Sequence, residues 1–508
     1  MTLPGAVRPP EASSAALRHG RHGFDVRAGP AATALLLGAI AFAVYALLPQ
    51  AAHLYDAYWI VPKLWSGDCG EPRHPLALHF VRWLASWFGE APVDLLGCLA
   101  LASALGTATA VALTAHAAWL RCRSLPTAVF VAVLFAALPA TAHFATVIEL
   151  HGPFLPSAAF AFWLGCAFSA TRPGWRTVRG LVLGAASGLA ACLHATGHLF
   201  AGFLGLWLAA ELRRASESWL TVARTWLLLA VAHAAVFAGV AWATAASAGA
   251  SLEAQAQFAA GYAWTFRGLG TTVVGEWLLP FLPASLVALV DCRRDALGIA
   301  LLLALPVYLA FSHFLLGPND HLVREFGAYL LPLGAPMALL AVHGRSRRVV
   351  AALVAIAAVG AGVERHVSDK PSPDTAYGQM VLDWLATHPS RFVTGGLADY
   401  DGVFVAACHA PERRDGWSHV WSAEVVAFMA RLRGATRAEE LALFLHPKLT
   451  GQSTVVAAEA LIAWRAEGGI FAELADRTLA EVYELRPVTA AARGGRELRA
   501  FELVPRSR

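Results

Sequence analysis

The chain has 508 residues, of which 57% are hydrophobic and only 15% are charged, and its net charge is +4. A soluble globular protein carries about a quarter charged residues, so the composition excludes an ordinary soluble protein. The basic residues occur in short clusters between apolar runs, which is typical of loops connecting membrane helices and not of a nucleic-acid-binding surface. The sequence therefore predicts an integral membrane protein.

Apolar runs of spanning length, about 20 residues, follow one another along most of the chain. The run at 178–212 is too long for one span and is interrupted by LHATGH, so we expect two short helices there. The sequence thus predicts about eleven transmembrane helices. They lie at 31–48, 93–120, 125–148, 153–170, 178–212 as a pair, 219–249, 271–290, 296–316, 323–343 and 347–364.

The distribution of arginine predicts the orientation. If residues 1–30 are a cytoplasmic tail, all basic clusters between the helices fall on the inner face. The region 31–366 is then a transmembrane domain whose segment 49–90 forms an outer-face loop with an interfacial helix at 74–89. We expect a multi-pass protein of the cell inner (plasma) membrane with a cytoplasmic N-terminus.

From 367 to 508 the apolar runs shorten and the charges increase, which predicts a small extracytoplasmic α/β domain. RFVTGGLADYDG, within 391–407, indicates a strand and a glycine-rich turn followed by a strand or helix. VYELRPV and RELRAFELVP have the alternation of closing strands. The predicted fold is thus an α-helical polytopic membrane protein with a C-terminal α/β domain.

Seven cysteines occur without CxxC or Cys/His ligand spacing, and most are expected to pack in helices. On this topology Cys69 and Cys408 both face outside, which leaves a disulfide between them open.

The loop HLYDAYWIVPKLWSGDCGEPRHPLALHF, at 53–80, collects ionisable and aromatic groups. Asp56 follows the first span closely, and the rings of Tyr58 and Trp59 could remove water from it. A desolvated carboxylate has a raised pKa and is a better base. A solvated loop aspartate or a helix cap is the alternative. Asp68 and Glu71, flanked by glycine and proline, are more typical of turn residues.

Glu149 ends the third predicted span, in ATVIELHGPFLP, and His151 follows two residues later. Ionisable residues at membrane depth are costly and indicate function by default. Helix capping, or pairing with a nearby histidine, explains Glu149 equally well.

The segment GPNDHLVREFGAYLLP at 317–332 places His321 and Arg324 at the outer end of a span. An arginine there could hold a phosphate through bidentate hydrogen bonds, and snorkelling to the membrane surface is the alternative. His194 and His198, four residues apart, could be metal ligands. No third ligand is evident, so helix packing and a polar turn are favoured.

These residues together resemble the GT-C superfamily of polyprenyl-phosphate-sugar glycosyltransferases, and most of all its transmembrane O-mannosyltransferase-like group, domain of unknown function 2723. His74 and Pro75 match its His-Pro element, and Glu149 matches the glutamate of its Ala-Glu-Val-Tyr element. LHATGH at 193–198 loosely matches a Gly-Asn-His turn, and TGGLADYDG at 394–402 is similar to the turn that begins the family's soluble part. The Pro-Gly-Tyr-Pro that follows the family's His-Pro element is absent.

The resemblance leaves two aspartates as candidates for the catalytic base. Asp68 belongs to the DCGE string closest to the family's Asp-Ser-Gly-Glu, yet it lies only six positions before His74. Asp56 lies eighteen positions before His74 and directly after the first span, as the family spacing requires. We weight the spacing more and favour Asp56, with Asp68 as the alternative.

The resemblance implies transfer of a sugar from a polyprenyl-phosphate donor to a protein, glycan or lipid acceptor on the outer face, with inversion. Arg324, with His321, would stabilise the departing phosphate, and Glu149 would orient the acceptor or the loop. The residues expected around the acceptor and loop are His74, His151, Tyr58 and Trp59. No cofactor is predicted, because the carboxylates lack ligand spacing, and a divalent metal is left open.

Two other classes of protein remain alternatives. A transporter or flippase also needs intramembrane charges and broken helices, but predicts an inverted repeat and polar groups near the bilayer midplane. A non-catalytic cell-envelope assembly protein would not depend on Asp56.

Overall fold

The computed structural model describes most of the chain. Helices dominate up to residue 367, and a five-stranded sheet with helices follows from residue 374. The described residues are 28–48, 57–71, 73–89, 91–169, 176–244, 266, 268–291, 295–316, 326–367, 374–413, 419–423, 425–427, 437–445, 453–466, 469–493 and 496–506.

Up to residue 367 the backbone is mostly helical, as expected for an apolar chain that must satisfy its own peptide groups in a membrane. The helices are α1 (Ala28–Leu47), α2 (Ala57–Ser66), α3 (Ala77–Ala85), α4 (Pro92–Cys122), α5 (Leu125–Ala137), α6 (Pro139–Ala145), α7 (His151–Ser169), α8 (Arg176–Leu193), α9 (Thr196–Arg214), α10 (Trp219–Ala243), α11 (Ala284–Asp291), α12 (Ala296–Leu316), α13 (Gly334–Val342) and α14 (Arg347–Val367). A helical turn (Leu269–Thr272) continues as a π-helix (Val273–Leu278), and a 3₁₀-helix (Ala328–Leu333) precedes α13.

Among the described helices, α1, α4, α10 and α12 are long and apolar enough to cross a membrane. The bent pair α5 and α6 adds a fifth span if the pair is counted as one. The other predicted spans coincide with helices that are shorter, interrupted or less apolar. The count of about eleven spans therefore stays a prediction.

Prolines divide two segments that the sequence predicts as single spans. The segment 125–148 consists of α5 and α6, which meet at an angle of 66°. Pro139 begins α6 and has no N–H to continue the hydrogen bonding of α5. In 271–290, Pro280 and Pro283 lie between the π-helix and α11. Each of these segments is therefore two helical pieces and not one.

The predicted break in the run 178–212 is confirmed, because α8 ends at Leu193 and α9 begins at Thr196. α8 and α10 approach very closely along glycines spaced four residues apart, including Gly184. A Cβ added to Gly184 would lie 2.2 Å from the carbonyl oxygen of Leu229, so no side chain fits there. Small residues at this spacing are typical of packed membrane helices.

From residue 374 the chain combines helices with a mixed sheet. The elements are α15 (Thr375–Thr387), β1 (Ser390–Thr394), α16 (Leu397–His409), β2 (Val420–Ser422), α17 (Ala438–Leu445), β3 (Ser453–Ala457), α18 (Ala458–Ala466), α19 (Gly469–Glu481), β4 (Tyr483–Arg493) and β5 (Arg496–Pro505). The strand order is β2-β1-β3-β5-β4, with β1 parallel to β2 and β3, and β5 antiparallel to β3 and β4. The strands predicted in RFVTGG and in the two closing segments are confirmed, and the domain boundary at 367 stays a prediction.

Buried apolar side chains form three clusters. The first lies among the helices before residue 367, and the second surrounds the sheet. The third, which we call the junction core, joins α2, α3, the start of α4, the α6–α7 turn and α16. Its members are Ala57, Ile60, Val61, Leu64, Cys69, Ala77, Leu78, Val81, Ala85, Leu95, Cys98, Leu99, Ile148, Leu150, Phe404 and Cys408. The helical part and the sheet-containing part of the chain therefore share one core.

α3 lies within the segment 74–89 that the sequence predicts as an interfacial helix. Its Val81 is buried in the junction core, whereas Trp83 and the following Trp87 and Phe88 are exposed. One apolar face is thus buried in protein, and the exposed aromatic side chains are typical of a membrane interface. The position of α3 relative to a membrane stays a prediction.

Candidate active site

Glu149 lies in the turn between α6 and α7, and His151 is the first residue of α7. Both side chains are buried, with exposures of 6% and 3%. Nδ1 of His151 is paired with Oε2 of Glu149. A buried carboxylate needs such a polar partner, because its desolvation is otherwise too costly. The structure thus gives Glu149 a histidine partner, and its catalytic role stays a prediction.

Close packing of α4 against α7 determines where this turn lies. A Cβ added to Gly106 would lie 1.9 Å from the carbonyl oxygen of Gly152, and a Cβ on Gly152 would lie 2.4 Å from Cα of Ser103. The two backbones therefore touch without intervening side chains. Because Gly152 follows Glu149 by three residues, this contact holds the Glu149 turn against α4.

His74 ties the segment before α3 to the α8–α9 turn. The backbone N–H of Ala195 donates to Nδ1 of His74 at 3.2 Å, and the N–H of Leu76 donates to the carbonyl oxygen of Cys192 at 2.9 Å. An Nδ1 that accepts a hydrogen bond carries no proton, so neutral His74 holds its proton on Nε2. His74 thus ties the loop to the α8–α9 turn, and its role as an acceptor or loop residue of the site stays a prediction.

His74, Glu149, His151 and His194 form one continuous group, which we call the histidine cluster. The His194 ring lies 4.8 Å from the His74 ring, nearly parallel to it, and 4.3 Å from the His151 ring. Nδ1 of His194 lies 2.7 Å from Oγ1 of Thr196 and accepts from the Thr196 N–H. Three segments that are far apart in sequence therefore contribute to a single buried cluster.

Two imidazoles of this cluster, those of His74 and His194, are held neutral. Burial and, second, the positive charge of Arg73 lower the pKa of His74 to about 3. Burial also lowers the pKa of His194 well below its usual value, and the neighbouring histidines act in the same direction. At neutral pH these two rings therefore act as hydrogen-bond donors or acceptors and not as cations.

Glu71 begins a turn, as the sequence predicts, because the N–H of His74 donates to its carbonyl oxygen at 3.0 Å. Its carboxylate is nevertheless buried and paired. It is 6% exposed, and its two oxygens accept hydrogen bonds from Lys63 and Arg73, each at 3.1 Å. Burial raises the pKa of Glu71, but the hydrogen bonds and charges of Lys63 and Arg73 outweigh it and hold the pKa below its usual value. Glu71 thereby links α2 to the start of the His74 turn.

Asp68 is exposed, and its Oδ1 accepts a hydrogen bond from the backbone N–H of Gly70 at 2.9 Å. The Asp68 side chain closes a turn through this hydrogen bond, which agrees with the turn that the sequence predicts. Its role as the alternative base stays a prediction.

The predicted aromatic loop contains the helix α2. The Tyr58 ring packs edge-on against Tyr400 and Phe404 of α16, at centroid distances of 4.8 and 5.3 Å. Trp59 follows in α2, and its side chain lies outside the described part of the structure. The sequence missed α2 because its apolar residues surround Pro62 and do not form a long run.

Cys69 and Cys408 both belong to the junction core, but their thiols are free.

Three predicted site residues, Asp56, His321 and Arg324, lie outside the described residues. Ala57, which follows Asp56, is fully buried in the junction core. Phe326, shortly after Arg324, has its ring 5.4 Å from the His143 ring of α6.

Glu276 is a buried carboxylate that the sequence analysis missed. It lies in the π-helix, is 3% exposed, and its Oε2 accepts from the backbone N–H of Gly327 at 2.8 Å. π-Helical turns often occur at functional sites. The sequence feature that could have identified Glu276 as a candidate is an isolated glutamate inside the apolar run TTVVGEWLL.

His198 points away from the histidine cluster, although it lies four residues after His194. Its Nδ1 lies 2.8 Å from Nε2 of His233, whose Nδ1 lies 3.0 Å from Oγ of Ser187. This chain links α9, α10 and α8 in the manner of interhelical polar contacts in membranes. In the described part of the chain, no three His, Cys, Asp or Glu side chains are arranged as metal ligands.

A second polar group, which is partly buried and which we call the arginine network, lies at the other end of the helices. Arg121 donates to Glu211 at 2.9 Å and to Asp295 at 3.0 Å, and Arg179 pairs with Glu211. Along α4, Arg121 is separated from Leu95 of the junction core by about 39 Å at 1.5 Å per residue. The network thus joins the ends of α4, α8, α9 and α12, which the predicted alternation places on one face.

Comparison with solved structures finds three chains that are similar over most of this protein. ArnT from Cupriavidus metallidurans in the apo state superimposes with a TM-score of 0.52 and 13% identity, covering 94% of this chain and 97% of that chain. The oligosaccharyltransferase of Archaeoglobus fulgidus, solved with Zn and sulfate, gives 0.50 and 13%, covering 92% and 72%. ArnT from Cupriavidus metallidurans bound to undecaprenyl phosphate gives 0.48 and 15%, covering 93% and 98%.

No protein-family model and no curated protein sequence matches the chain. Because the first two structural matches extend over nearly the whole of this chain, the protein shares the fold of ArnT and of the oligosaccharyltransferase.

Proposed function

We propose that the protein is a membrane glycosyltransferase that transfers a sugar from a polyprenyl-phosphate donor to a hydroxyl or amine of a protein, glycan or lipid acceptor. The observation that carries this proposal is the histidine cluster. His74 and Glu149, the residues that match the family motifs best, lie far apart in sequence, yet they belong to one buried cluster within a GT-C fold. Buried ionisable groups gathered from several segments are typical of an active site.

Asp56 acts as the general base in this proposal. Its neighbour Ala57 lies in the junction core together with Ile148 and Leu150, which precede and follow Glu149. This shared core supports a site in which the start of α2 and the α6–α7 turn act together. Glu149, paired with His151, orients the acceptor or the loop, and His74 anchors the loop to the α8–α9 turn.

Arg324, with His321, binds the donor phosphate. The segment after Arg324 enters the bundle beside α6, through the contact of Phe326 with His143 and the hydrogen bond from Gly327 to Glu276. A guanidinium matches two phosphate oxygens geometrically and stays charged. It can therefore stabilise the negative charge that grows on the departing phosphate.

The reaction is a single displacement with inversion. The acceptor oxygen or nitrogen forms a bond to the anomeric carbon while the bond from that carbon to the phosphate oxygen breaks. Asp56 takes the proton of the acceptor, and polyprenyl phosphate leaves with the bonding electron pair. Proton removal by a positioned base contributes about 100-fold to 10,000-fold.

The reaction takes place at the outer face of the inner membrane, with the N-terminus in the cytoplasm and the C-terminal α/β domain outside. The arginine network supports this topology, because it joins helix ends that carry the basic clusters expected on the cytoplasmic side.

The test is reconstitution in liposomes with tritium-labelled undecaprenyl-phosphate hexoses and a panel of peptide, glycan and lipid acceptors. We expect Asp56→Asn to lower the transfer rate by at least about 100-fold, whereas the matched variant Asp68→Asn retains it. Full activity of Asp56→Asn would refute the assignment of the base. Absence of transfer by the wild-type protein with every donor and acceptor would favour a transporter or an assembly protein.

We propose that no cofactor takes part. Addition of EDTA is then expected to leave the transfer rate unchanged. A loss that Mg²⁺ or Mn²⁺ restores would show instead that a divalent metal is required.

A further inference from the structure

Two histidine rings cap the first backbone N–H groups of α9. The first N–H groups of any helix have no partner within that helix. Here the N–H of Ala195 donates to Nδ1 of His74 at 3.2 Å. The next N–H, that of Thr196, donates to Nδ1 of His194 at 3.3 Å. Rings from two distant segments therefore accept from consecutive N–H groups of one turn.

These contacts determine where each ring carries its proton. Burial lowers the pKa values of His74 and His194, so both rings are neutral at neutral pH and each holds one proton. A ring nitrogen that accepts a hydrogen bond carries no proton, so in both rings the proton is on Nε2. Each ring thus offers one N–H to a ligand.

The two Nε2–H groups lie side by side. The rings are nearly parallel, with an angle of 17° between their planes and 4.8 Å between their centroids. Because Nδ1 of each ring faces the start of α9, Nε2 of each ring faces away from it. Both side chains are 8% exposed. Among the described residues neither Nε2 has a hydrogen-bond partner, yet neither is sealed inside the protein as Nε2 of His198 is.

Two N–H groups side by side match an oxygen that only accepts hydrogen bonds. A hydroxyl group would also need an acceptor for its own hydrogen, and the pair offers none. The positive charge of Arg73 acts on both rings, and on His74 it outweighs the opposing charge of Glu71. The N-terminal end of α9 is positive as well and favours negative charge. The pair therefore fits an oxygen anion.

We infer that His74 and His194 form an N–H pair that binds a phosphate oxygen of the substrate. The choice of phosphate rests on the proposed function, because the phosphate is the anionic group of a polyprenyl-phosphate sugar. The pair supplements the contact proposed for Arg324 and does not depend on it. The histidine cluster thereby contacts the substrate directly, in addition to holding the loop.

Neutral N–H groups that are already in place suit this task. A neutral imidazole at a helix N-terminus can polarise a substrate oxygen without giving up its proton. Groups that need no reorganisation also stabilise negative charge as it grows on a leaving phosphate. The caps from Ala195 and Thr196 provide this preorganisation, because they fix both the proton position and the ring orientation.

The first test is equilibrium binding of tritium-labelled undecaprenyl phosphate to the full-length protein in detergent micelles. His74→Phe and His194→Phe each keep a ring and remove the N–H. Loss of one hydrogen bond to a charged oxygen should raise Kd by at least about tenfold. His198→Phe is the matched control, because that ring pairs with His233 and should leave Kd unchanged. A wild-type Kd in both pair variants would overturn the inference.

Unlabelled competitors identify the source of the phosphate. Displacement by undecaprenyl phosphate alone would support a site for the polyprenyl-phosphate substrate. Displacement by phosphatidylglycerol, or by inorganic phosphate, at the same concentration would support a phosphate site that binds a lipid headgroup, or the free ion. Equal displacement by undecaprenol, which lacks the phosphate, would overturn the inference.

Solid-state NMR of the ¹⁵N-histidine-labelled wild-type protein tests the pair without a substitution. We expect both rings to be protonated on Nε2 and bare on Nδ1 at neutral pH, and the two Nε2–H signals to shift when undecaprenyl phosphate binds. Spectra of the pair variants assign the signals. A proton on Nδ1 of either ring, or Nε2–H signals that do not respond to the ligand, would contradict the inference.

Failure of the proposed function gives a different result. A protein that binds undecaprenyl phosphate through the pair but transfers no sugar would refute the proposed function and support the inference. Sugar transfer by the wild-type protein, with unaltered binding in both pair variants, would refute the inference alone.

Discussion

The histidine cluster, which is buried, and the arginine network, which is partly buried, both lie at helix ends, but they use their ionisable side chains in opposite ways. In the arginine network two arginines face two carboxylates, so the charges neutralise one another. In the histidine cluster three imidazoles pack against one another and only His151 pairs with the one carboxylate, Glu149, while His74 and His194 are kept neutral by burial.

This difference predicts that the arginine network stabilises the fold and that the histidine cluster takes part in the reaction. Charges that pair completely within the protein leave nothing to bind a substrate, and their removal mainly destabilises the fold. Ionisable groups held with shifted pKa values in an apolar cluster can exchange protons or orient polar ligands, which is characteristic of functional sites. The following variants test this contrast, from the largest expected effect to the smallest.

The largest effect is expected from Glu211→Ala, which leaves Arg121 and Arg179 without their shared partner. Breaking a fully buried ion pair costs about 3–5 kcal/mol of unfolding free energy. Because these side chains are 10–26% exposed and Arg121 keeps Asp295, we expect a loss at or below the lower end of that range, about 3 kcal/mol. Denaturant unfolding in detergent micelles measures the loss. The exposed residue Glu497, paired with Arg499 at 3.3 Å, provides the control, because Glu497→Ala should cost less than about 1 kcal/mol. Equal stabilities of the two variants would contradict a structural role for the network.

Glu149→Gln should act on the reaction and not on the fold. Glutamine has the same shape and can still accept a hydrogen bond from His151, but it carries no charge. We expect the transfer rate to fall by about 100-fold, equivalent to about 2.7 kcal/mol, with a change in Tm of only a few degrees. The rate is measured in the liposome assay and Tm in detergent. A wild-type rate in this variant would remove Glu149 from the site.

His74 makes the stability of the protein sensitive to acid. Its pKa is about 3 in the folded state against 6.5 for a free histidine. The unfolded chain therefore binds the proton first, so stability is complete above pH 6.5 and is lost as the pH falls towards 3. The loss approaches about 1.4 kcal/mol per pH unit.

His74→Phe keeps a ring at the stacking position and removes this titration. We expect Tm to decrease less steeply between pH 6.5 and pH 4 than in the wild-type protein. The same slope in both proteins would show that other groups account for the acid sensitivity.

The smallest effect is expected from Asp68→Asn. The introduced amide oxygen can still accept a hydrogen bond from the Gly70 N–H, and the side chain is exposed. The transfer rate should therefore stay within about twofold of the wild-type rate, and the free energy of unfolding should change by less than about 0.5 kcal/mol. This variant also decides between the two candidate bases. A loss of about 100-fold would identify Asp68 as the base instead of Asp56.

The sequence predicted those features that depend on local composition. The apolar runs, the break at LHATGH and the closing strands β4 and β5 all follow from hydrophobic periodicity and from residues that interrupt it. The division of 125–148 at Pro139 was missed, because a proline can begin a helix as readily as it ends one. α2 was missed because a ten-residue helix is formed by its packing and not by its own propensity.

For the candidate site, too, some features follow from the sequence and others only from the tertiary structure. The sequence by itself determined that this is a membrane protein with polar groups of unusual types in a few short segments, because apolar length and charge placement are local properties. Only the tertiary structure decided which of those groups meet. It placed His194 between His74 and His151, buried Glu71 between two basic side chains, and packed α16 against Tyr58, because contacts between distant segments depend on how the helices pack and not on the spacing within any one of them.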